Sequence, residues 1–209
     1  MLVITNELER FRSDTDALAR RDSRFLRAAV RGPVVQPEHL EAALGLILAL
    51  TGMSMSEEGR RTLKVVELGV DSAQVRLLAR MDNPVLIQVA PGVESTGLLG
   101  VLETIDRLRN PGRVIVSLQP AGSDAASLSE LVNGVAAVRP GTTWVGNPAV
   151  ELGTPGGGAV DGAAVRVRTE ALSELVDAAG SHLAGFDIEV HADRIGEAAV
   201  VLAALGYDR

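Results

Sequence analysis

His191 and Asp193, two residues apart at the end of an apolar and acidic run, are the pair best suited to acid-base work in this chain. An imidazole titrates near neutral pH, and a carboxylate beside it can orient the ring for proton transfer. A second group could hold an anion. Gly92 permits close backbone approach, Ser95 and Thr96 add hydroxyls at a helix start, and Ser123 and Asp124 occupy the corresponding loop of the next unit. Asn147, after a third apolar run, and Gly156 and Gly157, in a stretch with five glycines among residues 153 to 162, complete the ligand-binding candidates. Each also has a purely structural reading. Serine or aspartate ahead of a helix caps it without any ligand, a histidine on an alternating strand is often a surface residue, and a glycine-rich stretch serves as a connection or a flap.

Other chemistry is excluded or unsupported. The chain of 209 residues has no cysteine, which removes disulfides, thiolate metal sites and cysteine nucleophiles. His39 and His182 have no neighbouring pattern that would make a metal site, so neither metal nor cofactor is expected. No Walker sequence and no GxSxG nucleophile motif occurs. The net charge of -7 and only five aromatic residues argue against nucleic acid, which needs a positive field and stacking surfaces. No apolar run approaches the ~18 residues of a bilayer span, and a cytoplasmic location is expected.

Elements must bring these residues together. Residues 7 to 31 place Leu8, Phe11, Leu18, Phe25 and Ala29 at helical spacing, and residues 37 to 52 read as a second helix. The first segment carries seven arginines against five acids, which suits self-association or a protein partner through residues 1–31. The runs 63 to 68 and 74 to 81, with turn chemistry between them, read as a β-hairpin. Within them, residues 66 to 73 (VELGVDSA) resemble the glycine-rich first motif of class I methyltransferases, but Asp71 and Ala73 stand where its later glycines belong, and no family follows.

From Pro84 the pattern becomes strand, loop, helix. Residues 84 to 112 align without a gap on 113 to 141 at an offset of 29. The runs 85 to 89 and 114 to 118 are continuously apolar, as expected of parallel strands with helices on both faces. Leu98, Leu102 and Ile105, then Leu128, Leu131, Val132 and Val135, mark the helices, with Ser127 and Glu130 as a capping box for the second. A third strand is expected at Thr142 to Val145. Two more units follow, with strands at 164 to 168 and 186 to 191, each wet on one face, and Arg166 and Arg168 placed to face Glu189 and His191.

The expected architecture is α/β: a mainly parallel sheet of about five strands flanked by helices, preceded by two N-terminal helices and a hairpin. Residues 1–60 form the helical segment and 61–209 the α/β domain. Two functions fit. The first is a non-catalytic binding or regulatory domain for a protein partner or small ligand. The second is an enzyme on a small anionic metabolite, with the anion site at the carboxyl ends of the strands and His191 as acid or base.

Overall fold

A computed structural model describes residues 25–31, 64–67, 72–81, 84–110, 112–120, 124–154 and 156–205. The helices expected at residues 7 to 24 and 37 to 52, and Ser123, lie outside the described residues. Six strands form one sheet: β1 (Phe25–Arg31), β2 (Lys64–Glu67), β3 (Val85–Val89), β4 (Val114–Leu118), β5 (Thr143–Gly146) and β6 (Leu183–His191). Their order is β1-β6-β5-β4-β3-β2, and every pairing is parallel. The helices are α1 (Ser72–Ala79), α2 (Ser95–Ile105), α3 (Ala125–Val138), α4 (Gly162–Ala178) and α5 (Ile195–Ala204).

The internal repeat is the register of the sheet. Val85 pairs with Val114, Leu86 with Ile115 and so on to Val89 with Leu118, the same offset of 29 at every position. The helix cores follow it: Leu98, Leu102 and Ile105 of α2, and Leu128, Leu131, Val132 and Val135 of α3, are all buried.

From β2 to β6 each strand adds beside its predecessor in one direction. Right-handed crossovers repeated in one direction place successive helices on one face. The core confirms this layering. One large cluster joins the buried residues of all five helices to alternate strand residues such as Ile87, Val116, Trp144 and Ile188. On the opposite face the described residues form a separate apolar cluster of strand residues, Leu86, Ile115, Val145 and Ala184. Polar side chains of this second face meet one another across the sheet.

That requires a curled sheet. β3 and β6 are three spacings apart, about 14 Å in a flat sheet, yet Gln88 Nε2 donates to Glu189 Oε1 at 2.7 Å and to Asp187 Oδ2 at 3.2 Å. Following the register from Gln88 through Ser117 and Val145 reaches Gly185 on β6. The residues Gln88 touches lie two and four positions beyond it, the stagger that tilted strands acquire when a sheet curls toward a barrel.

Four expectations need correction. Residues 74 to 81 are not the second strand of a hairpin: α1 occupies most of them, with Val75 and Leu78 buried and Leu77 61% exposed, a three-residue spacing that alternation had masked. Residues 164 to 168 lie inside α4, where Val165 is buried and Val167 is 64% exposed, so the two valines point to opposite sides of a helix. Phe25–Arg31 is a sheet strand rather than the end of a helix, and it takes the place beside β6 that residues 164 to 168 were expected to fill. Arg27 registers with Asp187 and Arg31 with His191. Finally, β6 is not wet on one face, since every residue from Leu183 to Val190 is buried.

Candidate functional site

A parallel sheet brings all its carboxyl ends to one rim. On the inner face just below that rim the apolar layer gives way to Gln88, Ser117, Asp187 and Glu189, all buried. Gln88 and Ser117 are register partners. Asp187 and Glu189 occupy successive positions of the same face of β6, because side chains alternate along a strand. The Gln88 amide uses both its hydrogens on these carboxylates. The Ser117 hydroxyl is wholly buried and finds no hydrogen-bond partner among the described residues.

His191 continues this line up to the rim. Its Nδ1 lies 2.5 Å from Asp193 Oδ1, with the imidazole side chain 17% and the carboxylate 53% exposed. The expected pair is thus a contact, although the histidine is half-buried at a strand end rather than on a wet face. Among the described residues no group of three or more His, Asp or Glu is placed to hold a metal.

The anion candidates fall elsewhere. Gly92 sits in an exposed turn with φ +81°. Ser95 opens α2 but presses on α3, where a Cβ added to Gly134 would lie 2.5 Å from its Oγ. Thr96 is exposed on the same turn. Asp124 is the N-cap of α3: it accepts from Ser127 N at 2.7 Å and Ser127 Oγ at 2.8 Å. These bonds, the backbone one first, lower its pKa. The helix therefore begins at Ala125, two residues before Ser127, and the expected capping box is replaced by an aspartate cap. Asn147 is buried after β5. Its N–H donates to Leu118 O and its Oδ1 accepts from Ala149 N at 3.2 Å, so it shapes the turn that leaves the rim.

That turn leads into the glycine-rich stretch. Residues Val150–Gly153 form a short 3-10 helix with Leu152 fully buried. A Cβ on Gly153 would lie 3.4 Å from Glu189 Cβ, so the segment rests directly on β6 beside the inner carboxylates. Glu151 forms a two-pronged pair with Arg168 of α4 at 2.8 and 2.5 Å. The guanidinium hydrogen bonds depress the Glu151 pKa, and the same pair raises that of Arg168. Gly156 is exposed with φ +63°, while Gly157 is approached closely by Arg194 of the turn after β6. The stretch is held in place rather than left as a free connection.

Two of the four inner residues carry a signal in the sequence that composition and period do not single out. Gln88 and Ser117 are the lone polar residues of two apolar strands and fall on each other at the repeat offset of 29. Asp187 and Glu189 fall on the side of 186 to 191 expected to be wet, since alternation alone does not say whether a polar face is wet or enclosed.

At the opposite, amino end of the strands lies a cavity of about 250 Å³ lined by Asp106, Arg109, Asn110, Arg139 and Thr142 among others. Its polar groups serve the helix ends. Arg139, buried, donates to Asp106 O at 3.0 Å, to Leu102 O at 3.4 Å and to the Asp106 carboxylate, closing the carboxyl end of α2. Arg113 does the same for α1 through Leu78 O and Met81 O.

No family model and no curated protein matches the chain. No helix among the described residues is long and apolar enough to cross a membrane. From β2 to β6 the described strands advance across the sheet in one direction.

Proposed function

We propose that this chain is a binding domain for a small ligand, which enters at the carboxyl rim and seats against Gln88, Ser117, Asp187 and Glu189. One observation carries the reading: among the described residues Ser117 Oγ is buried without a hydrogen bond, in the layer that otherwise holds an amide and two carboxylates. Leaving a buried hydroxyl unmatched costs about 1 to 3 kcal/mol, and a group so placed calls for a partner such as a ligand or an ordered water. The Ser117 hydroxyl can donate and accept, so the complementary ligand carries a group that hydrogen-bonds it. A hydroxyl- or amine-bearing molecule of a few heavy atoms fits this layer better than an anion. Ser95 is engaged with α3, and Glu94 stands at the N-cap of α2, where it would repel an anion.

The test uses the full chain, isotopically labelled, titrated with glycerol, ethanolamine and inorganic phosphate as neutral, cationic and anionic probes. Glycerol or ethanolamine should shift the amides of 86–89, 115–118 and 187–191, and Ser117→Val should abolish the shifts. No change in these strands, or changes confined to residues 92–97 with phosphate, overturns the reading.

A second reading has its own support in the contact between His191 and Asp193. A carboxylate at Nδ1 holds the ring and leaves Nε2 for proton transfer, which would make the protein an enzyme with His191 as acid or base. Its substrate would gain or lose a proton at the rim, and a small anionic metabolite remains within this reading. If so, His191→Asn removes turnover while the probe-induced shifts persist.

Recognition of a protein partner, or self-association, through residues 1–31 is narrowed by β1. Residues 25–31 pair with β6 along their whole length. A truncation that tests partner binding must therefore stop at residue 24. Loss of assembly, measured by light scattering, with an unchanged unfolding midpoint supports it.

A further inference from the structure

The glycine-rich stretch is held by one ion pair. Arg194, three residues after His191 and with its side chain only 4% exposed, donates from Nη1 to Glu151 O and from Nη2 to Gly158 O at 2.6 Å. Glu197 grips the same guanidinium, accepting from Nε at 2.9 Å and Nη2 at 2.8 Å, and it also accepts from Val160 N at 3.0 Å. Three backbone groups spread over residues 151 to 160 thus depend on one guanidinium and one carboxylate. At Gly157 the approach is so close that a Cβ would stand 2.6 Å from Arg194 Nη1. Anchors of a different kind bound the stretch: Leu152 is buried in the core, and Asp161 caps α4 through Ala163 N at 2.9 Å.

We propose that residues 156–160 are a lid on the rim beside His191, latched shut by the Arg194–Glu197 pair, and that unlatching admits small molecules to the imidazole and the inner face behind it. Gly153 rests on Glu189 beside it, and the latch follows the His191 and Asp193 contact along the chain. A glycine-rich segment with firm ends and one polar fastening opens as a local unit without unfolding the sheet. What enters rests on the proposed ligand site; the motion itself does not.

The full chain is treated with diethyl pyrocarbonate, which acylates neutral imidazole, and modification is read by peptide mass spectrometry. His182, whose side chain is 63% exposed, is the internal reference. Glu197→Gln should raise the His191 rate relative to His182 by on the order of 10-fold, with faster amide exchange over 156–160 and unchanged exchange in β3 to β5. Arg194→Lys, which keeps the charge and loses the two-pronged grip, should act in the same direction. An unchanged His191 ratio in both variants overturns the lid. So does exchange that rises equally throughout the sheet, which would make the pair a fold element. Since no added ligand is read out, failure of the probe titrations and failure of the lid are separate results.

Discussion

Gln88 on β3 and Glu189 on β6 are 2.7 Å apart, although two strands lie between them. This one hydrogen bond links fold to site. It exists only because the sheet curls, and the curl encloses two carboxylates that an open sheet would leave in water. The amide donates to both Asp187 and Glu189 from across the interior. It therefore fixes the curvature and supports the charges together.

Gln88→Leu keeps the volume and removes both donors from buried carboxylates. Hydrogen bonds to charged groups contribute about 1.5 to 3 kcal/mol each in net terms, so a loss of roughly 2 to 4 kcal/mol is expected from urea unfolding. A loss under about 0.5 kcal/mol would mean that the interior does not depend on this contact.

The pair of Arg139 and Asp106 has side chains only 7% and 2% exposed. Removing one partner strands a buried charge at a cost of about 3 to 5 kcal/mol, whereas replacing both by apolar groups recovers much of it. Arg139→Met should therefore be far more damaging than Arg139→Met combined with Asp106→Leu. Equal damage from the single and double replacements would assign the loss to the helix-end carbonyls instead.

Trp144 is the sole tryptophan, fully buried, and its indole Nε1 has no hydrogen-bond partner among the described residues. Its emission should be strongly blue-shifted and report global unfolding. Trp144→Phe gives up packing but also an unmatched donor, so its cost should stay below about 2 kcal/mol. Trp144→Ala should cost about 3 to 5 kcal/mol by opening a cavity. Equal costs for the two would show that the indole makes a polar contact in solution.

Glu197 carries a pKa lowered from 4.5 to about 2, first by the Arg194 hydrogen bonds and then by Val160 N–H. A depressed carboxyl pKa stabilises the fold in full above its unfolded value, and that contribution disappears as pH falls through the folded value. The gap in urea midpoint between the natural protein and Glu197→Gln should be constant above about pH 5 and close between about pH 4.5 and 2. A gap unchanged down to pH 2 would separate Glu197 from the latch in its charged form.

Much of the sheet was legible before any coordinates. The 29-residue repeat specified two strands and two helices, and the structure adds that the two strands are neighbours whose register follows the same offset. Helix faces such as Leu128, Leu131, Val132 and Val135 were equally plain, since a 3.6-residue period survives in a long apolar pattern. Short windows were not. Five residues around Val165 and, Leu78 apart, those from 74 to 81 satisfy a two-residue alternation by coincidence, and the helix that holds Val165 begins after Asp161, a cap outside that window. Composition alone settled the absence of cysteine chemistry, and local spacing placed His191 beside Asp193. Only tertiary structure decided that β1 rather than residues 164 to 168 lies against β6, and that the polar side of β6 faces an interior. The physical reason is that curvature and strand order depend on contacts between distant residues, and no local period encodes which of two polar faces the rest of the chain will enclose.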